Sequence, residues 1–309
     1  MNPIDGHRYP ALDRLVGAVL AVWPEHAGFL GNSFGEEDAS GLAWAETVAG
    51  LIGRLAGDDL PRACGDYRWT CQRLLEEELH FRRNGTYRLT TFAEAEYAVY
   101  ADADFMGRYV NGLLLSHLFW ANHRRVLRFY DERFLPGKGD GFRHLEVGPG
   151  HGLLLYLAAR RQACSRAAGW DVSATSARHA RACLDRLGVS ADVAVERRDL
   201  FSVHADGGTF DSIVASEVLE HLERPAEALA ALRALLAPGG RLFVNMPVNS
   251  PAPDHIHLLR RPEEVFDLVG MNGFRVLETA VFPATGYDEA RARRQEVTMS
   301  CVVIATPGP

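Results

Sequence analysis

Two groups of residues in this 309-residue chain are of types that carry out chemistry. The first is the run His144 to Gly152, HLEVGPGHG, followed at Gly169 to Ser173 by GWDVS. Glycines at 148, 150 and 152 let the backbone approach a ligand without interference from Cβ. A strand, a glycine turn, a helix start and a second strand ending in an acid form the layout of a nucleotide-cofactor site. The second group is SEVLEHL, with Glu217, Glu220 and His221, together with PAPDHIHL, with His255 and His257. On a helix, Glu217 and Glu220 are i and i+3, and Glu217 and His221 are i and i+4, so all three are expected on one face. A histidine from the second segment completes a mixed oxygen and nitrogen set for Mg2+ or another divalent cation. His255 fits that place first by its position after the fifth strand, and His257 second. Such a cation lowers the pKa of a substrate hydroxyl and fixes its oxygen. Without a metal, Glu220, His221 and His255 are the catalytic candidates, either histidine serving as general base.

The glycine spacing separates two kinds of cofactor. A dinucleotide fingerprint requires G-x-G-x-x-G, and here the third glycine position falls on Leu153, leaving G-x-G-x-G. This run resembles motif I of the class I S-adenosylmethionine-dependent methyltransferases. The resemblance implies that Glu146 sits near the methionine end of the cofactor, beside Gly148, Gly150 and Gly152. It further implies that Asp171, with Val172 next to it, holds the ribose hydroxyls. Asp199 and Leu200, after VERR, are placed near the adenine amino group, and Ser216 at the end of FDSIVAS borders the same crevice. The pieces that follow lie in family order from about Gly141 to Thr306. The fold class they imply is α/β, a seven-stranded Rossmann-like sheet whose last strand is reversed. SEVLEHL is similar to the E-x-L-E-H segment of ubiquinone-pathway O-methyltransferases. With the distal histidine it also resembles the E-x-x-E-H metal site of the small-RNA 3′-end 2′-O-methyltransferases.

The elements that must position these residues read as follows. ALDRLVGAVLAVW, GLAWAETVAGLIGRLA and DYRWTCQRLLEEEL have helical periodicity. HFRRNGTYRLT reads as a β-hairpin around Asn84-Gly85. Helices followed by a hairpin suggest a mainly helical, winged-helix-like module, and RRNGTYRLT resembles the N-terminal dimerisation domain of plant-type and antibiotic-pathway O-methyltransferases. That resemblance implies a homodimer and a domain that encloses substrate. A long aromatic helix follows, YVNGLLLSHLFWANHRRVLRFYDERFL, ending at Pro136-Gly137. The domain boundary is placed near Gly139, giving a helical domain over 1–138 and a catalytic domain over 139–309. His117, Trp120, Asn122 and His123 lie on this helix where related enzymes line the substrate cavity, and at least one is expected to touch cofactor or substrate. Near the C-terminus, RRPEEVFDLVGM reads as a capped helix and EVTMSCVVIAT as the last strand, with a charged loop over Phe282 to Glu296.

Composition narrows the class. An apolar fraction of 47% supports a substantial core. No run of 18 or more uncharged apolar residues occurs, so no membrane span is expected. MNPIDGHRYP has neither a basic nor an apolar leader segment, which points to the cytoplasm. The five cysteines are odd in number, lack C-x-x-C spacing, and read as reduced, mostly buried thiols. A formal net charge of −7 opposes a polyanionic partner. The expected function is therefore S-adenosylmethionine-dependent methylation of a small-molecule or carrier-bound substrate, O-methylation of a hydroxyl in bacterial secondary metabolism, with divalent-metal assistance. Alternatives are N- or C-methylation, RNA 2′-O-methylation, and a winged-helix regulatory protein without catalysis.

Overall fold

The computed structural model describes residues 3–189, 191–202 and 210–308. The first 135 residues form helices: α1 (Pro10–Val22), α2 (Ala27–Gly35), α3 (Ala39–Ala56), α4 (Leu60–Asn84), α5 (Phe92–Ala95), α6 (Ala103–Phe119) and α7 (Ala121–Phe129). Alternation of strand and helix follows: β1 (Phe142–Val147), α8 (Leu153–Ala159), β2 (Cys164–Asp171), α9 (Ala174–Leu187), β3 (Asp192–Arg197) and β4 (Phe210–Ser216). The chain continues with α10 (Pro225–Leu235), β5 (Leu236–Val248), α11 (Pro262–Met271), β6 (Phe274–Pro283), α12 (Glu289–Gln295) and β7 (Met299–Pro307).

The seven strands make one sheet in the order β3-β2-β1-β4-β5-β7-β6. β1 to β5 are parallel, while β7 enters antiparallel between β5 and β6. The order reverses between β1 and β4, and a ligand crevice opens beyond the carboxyl ends of the strands at such a point. The last strand is reversed as the sequence predicts. The mainly helical first part is likewise as expected, and no helix is long and apolar enough to cross a membrane. All five cysteines are free, four of them buried.

The expected hairpin does not form. α4 runs through HFRRN to Asn84, and Gly85 at φ 72° ends it in the left-handed conformation, its N–H donating to Phe81 O. Among the described residues no strand precedes Phe142, so the helices carry no wing. The long aromatic helix is also broken. Trp120 is extended, with φ −94° and ψ 128°, between α6 and α7. The C-terminal carbonyls that the break frees are satisfied by side chains: Arg124 Nη1 donates to Leu118 O at 2.8 Å and Ser33 Oγ to Phe119 O at 2.6 Å. The charged stretch 282–296 is not a plain loop but contains α12.

One apolar cluster joins the two parts. Leu12, Ile52 and Leu118 of the helices belong to the same buried cluster as Phe142, Leu155 and Phe243 around the sheet. Gly152, at φ 82°, starts α8 where a Cβ would stand 2.7 Å from Ala180 Cα on α9. Both the dihedral and the backbone contact resist a side chain, so Gly152→Ala is expected to lower stability by about 2–4 kcal/mol. Equilibrium urea unfolding measures this.

Candidate functional site

The carboxyl ends of β1, β2 and β4 open into a cavity of about 470 Å3. Its floor is the turn after β1. Gly150 has φ 50°, and a Cβ there would meet nothing within 4 Å, so its bare backbone faces open space. Glu146, at the end of β1, is buried, and its Oε2 has no protein partner. Burial, reinforced by the charge of Asp171, pushes its carboxyl well above the usual range. Asp171 closes β2. Its Oδ1 accepts the Ser173 N–H at 2.8 Å, and burial raises its carboxyl to about 6. Val172, Asp199, Leu200 and Ser216 line the same cavity. Asp199 Oδ1 accepts the Phe201 N–H at 3.0 Å, which fixes the turn after β3.

The second group forms differently from the helix its spacing predicts. β4 ends at Ser216, Glu217 turns through φ 54°, and only Leu219–His221 form a 3-10 turn. Glu217, Glu220 and His221 therefore do not share one face of an α-helix. A left-handed conformation in a side chain of this kind is a costly one that surrounding structure must impose. Asn245 of β5 imposes it from both sides: its carbonyl accepts the Glu217 N–H at 2.8 Å, and its Nδ2 donates to Glu217 Oε1 at 2.7 Å. Burial raises the Glu217 carboxyl to about 7.

Glu220 and His221 meet His255 through the loop after β5, which folds back over the turn. The N–H groups of Ile256 and His257 both donate to Glu220 O, at 3.0 and 2.8 Å. One ligand-type atom each of Glu220, His221 and His255 lies within 4.8 Å of the others. His221 Nδ1 is 3.0 Å from Asp254 O, and His255 Nδ1 is 2.5 Å from Ser250 O. Carbonyls only accept, so both rings carry their proton on Nδ1 and present an unprotonated Nε2. Those two Nε2 atoms each lie 3.9 Å from Glu220 Oε1. Glu220 is fully buried, and its carboxyl meets the Glu217 side chain. Burial, with Glu217 and Asp254 nearby, pushes it well above the usual range. Two imidazole Nε2 atoms and the Glu220 carboxyl thus converge on one point.

His221 and His255 line the cavity together with His117, Trp120 and His123 of the broken helix, so the two groups share one space. Gly152, Glu220 and His257 do not line it; Gly152 serves packing against α9, and His257 contributes its backbone. Asn122 is buried against Ser300, its Nδ2 donating to Ser300 Oγ at 3.0 Å. Several contributors lay outside the sequence reading. Asp254 is buried and receives the hydroxyls of Tyr100 and Tyr109, both at 3.2 Å. His151, between the last two glycines, meets His117 with Nε2 to Nδ1 at 3.2 Å. Only the polar run PAPDH pointed to Asp254. The tyrosines lie about 150 residues from their partner, beyond any local pattern.

The sheet order with its reversed β7, and the glycine turn at the β1 and β4 junction, define a class I methyltransferase fold. Residues 117–279, more than half of the chain, match a family model described as a methyltransferase domain. The chain belongs to that family, as a class I S-adenosylmethionine-dependent methyltransferase. It is 32% identical over 123 residues to a ubiquinone biosynthesis O-methyltransferase of Methylocella silvestris, covering 40% of this chain and 46% of that one. A second, from Xanthomonas axonopodis pv. citri, is 35% identical over 113 residues, 36% of this chain and 46% of its own. The match spans just under half the length of these relatives. In fold, the chain is similar to magnesium protoporphyrin IX methyltransferase of Synechocystis PCC 6803, solved with S-adenosylhomocysteine. That likeness has a TM-score of 0.52 and 16% identity, over 70% of this chain and 98% of that one.

Proposed function

We propose that the protein transfers the methyl group of S-adenosylmethionine to a hydroxyl of a small molecule held in the cavity. The observation that carries this is the single space shared by the cofactor-type groups and the acid and histidine cluster. Glu146, Gly150 and Asp171 stand on one side, Glu217, His221 and His255 on another, and Met106, Val110 and Leu113 of α6 form an apolar wall. A volume of about 470 Å3 is that of a small-molecule site, such sites spanning roughly 300–1,000 Å3. Residues 1–138 supply the wall and enclose the acceptor. The relatives named for O-methylation in ubiquinone biosynthesis support the hydroxyl.

The free Oε2 of Glu146, the bare backbone at Gly150 and the carboxylate of Asp171 fit the cofactor. Glu146 would bind its methionine end and Asp171 its ribose hydroxyls, with Asp199 at the adenine. The converging ligand-type atoms fit a divalent cation, which Glu220, ionised on binding it, His221 and His255 would hold, and Glu217, tied to Asn245, would border it. Such an ion would lower the pKa of an acceptor hydroxyl. The chain's own part is alignment: a sulfonium methyl is a strong electrophile, and an in-line oxygen held at about 3–3.5 Å supplies much of the rate. The apolar wall excludes water from this path.

Purified protein incubated with S-adenosylmethionine and a panel of catechols and simple phenols, 3,4-dihydroxybenzoate and caffeate among them, tests the reading. The expected product carries one added methyl on oxygen, with S-adenosylhomocysteine formed in equal amount. Transfer only to amine or carbon acceptors, or to a synthetic RNA, would sink it.

A further inference from the structure

Methylation of a hydroxyl releases a proton, and the histidines of the acid cluster are poorly placed to take it. Both turn their bare Nε2 towards Glu220 Oε1. A second set of histidines lies on the α6 side of the cavity, apart from the acid cluster. His123 and His117 line the cavity with ring centroids 5.4 Å apart, and His151 stacks edge-on to His117 at 4.6 Å.

Hydrogen bonding fixes the proton positions in this set. Ser116 Oγ is 2.7 Å from Leu113 O and donates to it, because a carbonyl only accepts. The hydroxyl proton is thereby used, so Ser116 Oγ accepts at its 2.9 Å contact with His123 Nδ1. His123 must therefore carry its proton on Nδ1 and leave Nε2 bare. No hydrogen bond to that Nε2 forms among the described residues. His117 Nδ1 meets Leu113 O at 3.0 Å and His151 Nε2 at 3.2 Å. The wall thus offers a bare nitrogen on His123, with its proton position set by Ser116.

We propose that His123 Nε2 is the base that takes the acceptor's proton, with Ser116 the positioning residue that fixes its tautomer. This rests on the hydroxyl reading above. The acceptor O–H bond breaks towards His123, the oxygen pair forms the new O–CH3 bond, and the C–S bond pair returns to sulfur. Imidazolium, methyl ether and S-adenosylhomocysteine result, and the imidazolium loses its proton to water when the products leave. Burial, then the charges of His117 and His255, keeps the free imidazole well below its usual range, so His123 waits unprotonated.

Isotope-labelled histidine in the protein bound to S-adenosylhomocysteine reads the tautomers by NMR without an acceptor. A pyridine-type Nε2 and protonated Nδ1 on His123 support the assignment, and a protonated Nε2 overturns it. Ser116→Ala is expected to mix the two His123 tautomers and Ser116→Thr to restore one; an unchanged spectrum in Ser116→Ala overturns the positioning role. With a catechol that is methylated, His123→Ala should lose about 10²-fold in kcat while S-adenosylmethionine still binds, and added imidazole should recover part of the loss. Unaltered kcat overturns the proposal. If cofactor binds but no phenol is methylated, the hydroxyl reading falls, and the tautomer measurement still decides for or against a bare nitrogen on His123.

Discussion

Replacing Asp171 by Ala is expected to weaken S-adenosylmethionine binding about 10³-fold while leaving the protein folded. The carboxylate closes β2 in the cavity wall, with Oδ1 engaged by the Ser173 N–H. Two ribose hydroxyls donating to an anion are each worth about 1.5–3 kcal/mol, and about 4 kcal/mol corresponds to that factor. Binding also depends on pH with a definite sign. Burial raises the carboxyl to about 6 from its ordinary 3.8. In the free protein the group favours the folded state below the ordinary value, and this contribution is lost as pH rises through about 6. With the proposed ribose contact, cofactor binding would run the other way because it would need the carboxylate. At pH 5 about one site in ten is ionised, so affinity should be about tenfold weaker than at pH 7.5. Isothermal titration at the two pH values measures this, and an equal affinity in wild type and Asp171→Ala would remove Asp171 from the cofactor site.

Glu220→Gln is expected to separate stability from activity. The wild-type carboxyl is fully buried beside Glu217 and pushed far up. Its contribution to stability is present at low pH and lost as pH rises towards its folded-state value, since the unfolded chain ionises more easily. Glutamine keeps the shape without the charge, so at pH 8, without added metal, the variant should be as stable as wild type or more stable by about 1–3 kcal/mol. With Mg2+, Mn2+ or Zn2+ added, wild type should gain in Tm at pH 8 and the variant should not. Methyl transfer by the variant should fall about 10³-fold, the several kcal/mol that a Lewis acid supplies. A wild-type Tm indifferent to every divalent ion, with activity unchanged by chelation, would dismiss the cation reading.

The β1 and β2 edge of the cavity was legible because its pattern is local. Glu146, the glycines and Asp171 sit at fixed offsets from strand ends, and parallel strands with short returns bring such ends together whatever lies between. The acid cluster was legible in its residues but not in its shape. Glu220, His221 and His255 do meet, yet a loop brings them together where a shared helix face was expected, and Glu217 turns the other way to bond Asn245. Asn84-Gly85 failed for a different reason: the dipeptide suits a hairpin turn and a helix C-terminus equally. The helical periodicity upstream, which α4 continues, was the deciding signal. The break at Trp120 had no local sign, because the hydroxyl that satisfies the freed Phe119 carbonyl comes from Ser33 on α2. His151 stands inside the glycine run, where the spacing of the glycines says nothing of the residue between them.

α6 has two obligations that its sequence must meet at once. Leu114, Leu115, Leu118 and Phe119 belong to the apolar cluster shared by helices and sheet, while Tyr109, Val110, Leu113 and His117 border the cavity. A change that widens the pocket on this helix removes packing from the structure that holds both halves together. Variants with a new acceptor preference will therefore tend to be less stable ones, and the range of acceptors open to descendants of this enzyme is set by how much folding free energy its ancestors held in reserve.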